Sequence, residues 1–148
     1  MTFEEKVYNT DVITGYRLDC RILSDFLVID DEVDIINFIT RLVQLRKADS
    51  KVIGITSAKQ ALSEIPKLDT KKIKCAIVDI NFPDGDGLDI VRALLKKDKS
   101  LPVVIYSASK KDVLRAQEEF TNISVIEKYD LSRLYEVLGI KEMFKEAV

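Results

Sequence analysis

None of the 148 residues is histidine. Imidazole acid or base catalysis, an imidazole metal site and a phosphohistidine on this chain are therefore excluded. Cysteine is scarce as well. Cys20 and Cys75 lie on apolar stretches with no metal-ligand spacing between them, which fits buried free thiols better than a disulfide or a redox pair. No apolar run nears the roughly 18 residues that a membrane helix needs, and the acidic N-terminus lacks the basic and apolar regions of a secretory signal. A cytoplasmic protein with no membrane contact is expected. Nor does charge of one sign prevail: 23 basic and 25 acidic side chains leave a formal net charge of -2, with no block of like charge. Composition thus gives no argument for binding nucleic acid.

What is present, 47% hydrophobic residues in 148, suits one domain with a single core. The chain is organised around the stretch from Cys75 to Asp89, where apolar residues run without alternation into Asp79 and then into a turn punctuated by Pro83, Gly85 and Gly87. Such a run suits a parallel strand covered on both faces, with its carboxylate delivered to the sheet edge.

Residues 1–24 read differently. Apolar side chains at every second position from Tyr16 to Ile22, with a turn near Asn9 to Asp11, predict a short N-terminal hairpin. It would cover part of the core or offer an edge to a partner chain. From residue 25 onward the pattern alternates. Phe26 to Ile29 is a buried strand, followed by a helix with Val33, Ile36, Phe38, Ile39, Leu42, Val43 and Leu45 near helical spacing. A second strand, Lys51 to Thr56, leads to a helix capped by Ser57, carrying Ala61, Leu62 and Ile65 inward and ended by Pro66. Lys67 to Lys72 is a polar loop. Strand three, Ile73 to Asp79, precedes a helix marked by Leu88, Ile90, Val91, Leu94 and Leu95. Strand four, Val103 to Tyr106, stops at Ser107, and the charged helix from Lys110 to Phe120 has few core positions. Ile123 to Ile126 is strand five, before a last amphipathic helix from Leu131 that Gly139 breaks ahead of Met143 and Phe144.

Five strands alternating with helices predict an α/β fold of the flavodoxin-like doubly wound (βα)5 plan, with a five-stranded parallel sheet in the order 2-1-3-4-5. Ligands of such sheets gather outside the carboxyl ends of the strands. There the sequence sets Asp30 and Asp31 after strand one, Asp79 after three, Ser107 after four and Lys128 after five. Each alone has an ordinary explanation as cap, turn or solvated charge. Together they form a site, since neighbouring strands lie only about 4.8 Å apart. Three crowded carboxylates either keep a proton or take up a cation, and oxygen ligands without His or Cys favour a hard ion such as Mg²⁺. Asp79 is then a carboxylate nucleophile towards a phosphoryl group, with Lys128 and Ser107 facing the transferring oxygens.

Asp30-Asp31, the run from Asp79 through Pro83 to Gly87, Tyr106-Ser107-Ala108 and Lys128, in this order, resemble the signature of two-component response regulator receiver domains. The resemblance covers residues 25–148, leaving 1–24 as an extension. It implies that Asp79 is the phosphoacceptor and that Asp30, Asp31, Asp79 and the Asn81 backbone carbonyl hold Mg²⁺. It also implies that Ser107 and Lys128 engage the phosphoryl group, with Asn81 and Ser109 flanking its approach. A sensor histidine kinase or histidine phosphotransfer protein would be the donor. The chain would thus be a phosphoacceptor switch and not an enzyme beyond self-phosphotransfer and self-dephosphorylation, with an unidentified downstream protein as target. A homodimer through the extension or the helix-four and helix-five face is compatible with this.

Two positions depart from the family pattern. An aromatic residue usually stands three positions before the lysine, where this chain has Val125, and proline usually follows the lysine, where it has Tyr129. Tyr129 is the nearby aromatic that could stand in for the missing ring. These departures favour the rival expectation of a receiver-like scaffold that binds partners without phosphorylation. A phosphatase acting on small substrates through Asp79 is a third reading, for which the short loops leave little room.

Overall fold

Uninterrupted apolar strands require cover on both faces, and the described part of the chain supplies it. A computed structural model describes residues 25–46 and 50–139. The expected N-terminal hairpin, Cys20 and the segment around Met143 lie outside these residues. The strands are β1 (Asp25–Ile29), β2 (Val52–Ile55), β3 (Ile73–Val78), β4 (Val103–Ser107) and β5 (Ser124–Glu127). They form one parallel sheet in the order β2-β1-β3-β4-β5, as the alternating pattern predicts. The helices are α1 (Val33–Arg46), α2 (Ala58–Glu64), α3 (Gly87–Lys97), α4 (Lys110–Glu119) and α5 (Leu131–Leu138).

Alternation along each strand divides the core into two layers. Leu27, Ile29, Ala76, Val78, Ile105 and Val125 pack with residues of α2, α3 and α4 such as Ala61, Leu94 and Ala116. Phe26, Val28, Ile77, Val104, Tyr106 and Ile126 pack with Ile39, Leu42 and Val43 of α1 and with Leu134 and Leu138 of α5. The first layer thus holds three helices and the second holds two.

Several apolar positions expected to point inward do not. Val33, Leu45, Leu62 and Leu131 are exposed. At about 100° per residue, Val33 sits half a turn away from Leu42 on α1, so a merely approximate helical spacing places it on the solvent side. Leu62 likewise follows the buried Ala61 around the helix. Pro66 does not simply end α2, since it sits inside a 3-10 turn, Ile65–Lys67, where its missing N–H costs nothing. The predicted polar loop beyond it contains a second such turn, Thr70–Lys72, capped by Asp69. Ser57 caps α2 as expected, accepting the Gln60 N–H at 3.1 Å. Gly139 closes α5 with φ 75°, the left-handed conformation that glycine adopts most readily.

Val113 and Ala116 are the residues of α4 that are buried, in keeping with its few core positions, yet the helix lies close against β4 and β5. Ile105→Ala, at a fully buried position of β4, is expected to lower unfolding free energy by about 2–5 kcal/mol. Urea denaturation followed by circular dichroism would measure it.

Candidate functional site

The parallel strands end together, so the residue after each one is carried to the same edge. Asp30 follows β1, Asp79 follows β3 by one residue, Ser107 is the last residue of β4, and Lys128 follows β5. Ladder-like bonds continue past the strand ends and fix these positions: Asp30 N–H donates to Ile55 O at 3.0 Å, Asp79 N–H to Ile29 O at 2.9 Å, and Lys128 N–H to Ser107 O at 2.9 Å. All the strand-end residues singled out in the sequence therefore meet.

The Lys128 ammonium lies among the acids, 2.8 Å from Asp30 Oδ2, 3.3 Å from Asp79 Oδ2 and 2.9 Å from Glu32 Oε1. Asp30, Asp79, Ser107 and Lys128 are all buried, whereas Asp31 is exposed at the rim. Carboxylate oxygens of Asp30, Asp31 and Asp79 come within 4.8 Å of one another. A cleft of about 530 Å³ opens onto the group, bordered by Asp31, Asp79, Asn81, Ser107, Ser109 and Lys128.

The electrostatics follow from burial. Loss of solvent raises the Asp30 pKa to about 6, against the opposing hydrogen bonds from Lys128 and the Glu32 N–H. Burial also raises the Asp79 pKa, with the charge of Lys128 working the other way. Burial disfavours the Lys128 ammonium, but the hydrogen bonds to Asp30 and Glu32 and the charge of Asp79 outweigh it and lift the Lys128 pKa. Four acids face one ammonium, so the fully ionised group would carry an excess of three negative charges. This donor set, all oxygen and overcharged, fits a hard divalent cation.

The loop beyond Asp79 is held at both ends. Asp79 Oδ1 accepts the Ile80 N–H at 2.8 Å and, more weakly, the Asn81 N–H at 3.5 Å. Asn81–Phe82 then pairs with Gly85–Asp86 in a minimal antiparallel hairpin where the sequence indicated only a turn. Asp84 reaches α2, accepting from Ser57 Oγ at 2.6 Å, Ala58 N at 3.0 Å and Lys59 N at 3.2 Å. The Ser57 hydroxyl and these amides hold its carboxyl down to about 2. Asp86 caps α3 through the Leu88 N–H and takes a 2.9 Å bond from Arg115 on α4.

Sequence reasoning gave no role to Glu32, Asp84 or Tyr106. Glu32 was visible only as the third member of an acidic triplet. Asp84 stood within the turn motif without a partner in view. Tyr106 carried the clearest signal, a hydroxyl within an otherwise apolar strand, since a buried phenol needs a hydrogen-bond acceptor. Of the two departures noted above, Val125 is buried on the α4 side of the sheet, and Tyr129 is 89% exposed on the α1 side beside Val33.

The sequence profile of the response regulator receiver domain matches residues 26–137. The chain belongs to that family. It is 25% identical over 114 residues to the chemotaxis protein CheY of Listeria monocytogenes serovar 1/2a, covering 76% of this chain and 92% of that protein. Over 84 residues it is 32% identical to a protein-glutamate methylesterase/protein-glutamine glutaminase of Trichodesmium erythraeum, covering 55% of this chain but only 22% of that protein. Among solved structures it resembles a response regulator receiver domain protein from Clostridium thermocellum, with TM-score 0.62, 23% identity and coverage of 85% of this chain and 100% of the other. The response regulator TrrA of Thermotoga maritima, solved in complex with Mg²⁺ and BeF, gives TM-score 0.59 and 18% identity, again over 85% of this chain and 100% of the other. At these identities the solved structures bear on the fold. Receiver domains are signalling switches of phosphorelays, working between histidine kinases and downstream effectors and binding Mg²⁺ at an acidic pocket. Among the described residues no helix is long and apolar enough to cross a membrane.

Gly87 gives this loop a test. A Cβ there would stand 2.0 Å from the Asp79 carbonyl oxygen and 2.5 Å from Ile80 Cα, both backbone atoms with no room to yield. Gly87→Ala is expected to displace the loop that carries Asp79 and to cost about 3 kcal/mol. Urea titration of the variant beside the parent chain would show it.

Proposed function

We propose that Asp79 accepts a phosphoryl group from a phosphohistidine on a sensor histidine kinase or histidine phosphotransfer protein, and that the resulting acyl phosphate switches a surface read by a downstream protein. The receiver would span residues 25–148, with 1–24 as an extension. The observation that carries this reading is the Lys128 ammonium buried 3.3 Å from Asp79 and 2.8 Å from Asp30, beside a cleft open to an incoming group. The donor histidine lies outside these 148 residues, none of which is histidine.

In the transfer, an Asp79 carboxylate oxygen attacks phosphorus, and the new O–P bond forms as the P–N bond to the donor imidazole breaks. The bonding pair leaves with the imidazole nitrogen. Little acid or base help is needed, and positioning and charge carry the step. Backbone amides of Ile80 and Asn81 orient the Asp79 carboxylate. Lys128 opposes the negative charge that arrives, and the buried Ser107 hydroxyl is placed to donate to a phosphoryl oxygen. Mg²⁺, held by Asp30, Asp31, Asp79 and the Asn81 carbonyl, would supply further positive charge against the same oxygens.

Switching follows from what Ser107 leaves behind. Its Oγ accepts the Ser109 N–H at 3.3 Å, and Ser109 in turn caps α4 through the Asp112 N–H at 3.3 Å. A Ser107 hydroxyl drawn towards the phosphoryl group gives up its place at the start of α4, which biases that helix between two positions.

Acetyl phosphate with Mg²⁺ is expected to add one phosphoryl group to the chain by intact mass, and Asp79→Asn to add none. Wild-type chain that stays unmodified at saturating donor would instead favour a scaffold that binds without phosphorylation. Mg²⁺ alone, at about 100 times its dissociation constant, is expected to raise unfolding free energy by about 2.7 kcal/mol. The gain should shrink in Asp31→Asn, whose exposed side chain contributes little else, and a thermal melt with and without chelator measures both.

A further inference from the structure

Tyr106 occupies β4 next to Ser107, but strand alternation sends its ring to the opposite side of the sheet, among Val28, Ile39, Ile126 and Leu134. The ring is 2% exposed. A phenylalanine would fill such a space equally well, so the hydroxyl is what needs explaining. It donates to the Lys128 carbonyl oxygen at 2.7 Å, a buried bond between residues far apart in the chain. Burial lifts the phenol to about 12, so it remains a donor.

Lys128 is the first residue beyond β5 and begins to leave the sheet. Its N–H is still held by Ser107 O at 2.9 Å, and the Asp130 N–H closes the turn onto Glu127 O at 3.0 Å. Residue 129 is not proline, so its φ is not locked, and the Tyr129 side chain is 89% exposed and anchors nothing inward. With the Tyr106 bond added, the peptide groups on both sides of the Lys128 Cα are tied to consecutive residues of β4. The side chain starting from that fixed point reaches Asp30, Glu32 and Asp79 with a single ammonium.

We propose that Tyr106 is a positioning residue for phosphoryl transfer: its hydroxyl latches the Lys128 carbonyl and so aims the Lys128 ammonium at Asp79. This rests on Asp79 being the phosphoacceptor, and it assigns to the far side of the sheet a group that never touches the phosphoryl donor. A latch of this kind alters the rate of transfer without itself offering an atom to the metal.

The test is Tyr106→Phe in the full chain, which keeps the ring packing and removes the donor. With acetyl phosphate and Mg²⁺ at saturation, the rate of Asp79 modification is expected to fall about tenfold. In a Lys128→Ala background the same substitution should change the residual rate by less than about twofold, because the hydroxyl acts through the ammonium. An undiminished rate in Tyr106→Phe overturns the proposal, and so does an equal loss in both backgrounds, which would mark a general loosening. If the wild-type chain takes up no phosphoryl group, the phosphoacceptor reading itself fails. The latch is then judged by hydrogen exchange at the Asp130 amide, which should quicken about tenfold in Tyr106→Phe if the hydroxyl holds the turn and remain unchanged if it does not.

Discussion

One ammonium among four carboxylates governs this site. Lys128 is buried, and burial alone would lower its pKa, yet contacts with Asp30, Glu32 and Asp79 more than offset this. The same burial raises the pKa of both Asp30 and Asp79, so neither acid is comfortable without the cation. The result is an internal ion cluster that a lone pair could not sustain, because desolvating two charges costs several kcal/mol per ion before any attraction is counted. Its surplus of negative charge suits entry of a divalent cation, and in the proposed transfer its buried ammonium would oppose the charge of an arriving phosphoryl group.

Parallel topology makes the cluster possible with few residues. Each contributing side chain sits at or just past a strand end, and the strand pairing continues through their own backbone amides. The sheet thus sets the relative positions of Asp30, Asp79, Ser107 and Lys128 before any side chain chooses a rotamer. The remaining freedom lies in the loops, and those are pinned individually: Asp84 onto the start of α2, Gly87 against the Asp79 carbonyl, and Lys128 onto β4. Preorganisation of this kind is what a reaction with little need of acid or base chemistry requires.

Sheet order was legible because strands alternating with helices imply the doubly wound plan, and the meeting of the strand ends because it depends on patterns local to each strand. Apolar runs without alternation indicated burial on both faces, and the polar residue closing each run marked the shared edge. Partners reached across the fold were not legible. Nothing near Asp84 indicates that its carboxylate caps a helix that starts 26 residues earlier, and nothing near Tyr106 indicates the Lys128 carbonyl. Helix faces fell between these cases. Val33 and Leu62 looked inward on approximate spacing, but a helix turns about 100° with each residue and a one-residue error moves a side chain to the flank. Whether an apolar residue at such a margin is buried is decided by the sheet beneath it, which only the fold supplies.

The departures at positions 125 and 129 can now be weighed physically. A ring that moves with Ser107 would have to lie on the α4 side of β5, and that place is taken by the small, buried Val125. Tyr129 stands on the other flank beside α1, with Lys128 and its turn between it and Ser107. It is therefore poorly placed to replace the ring without opening the turn that carries Lys128. What remains on the α4 side is the helix itself, joined to Ser107 through Ser109 and buried only at Val113 and Ala116. It lies against β4 and β5 and is also joined to α3 by the ion pairs Arg115–Asp86 and Arg92–Glu119, all partly exposed, and pairs of that kind are worth at most about 1 kcal/mol each. If Ser107 moves on phosphorylation as proposed, its link through Ser109 would carry that movement to the start of α4 without an aromatic intermediary.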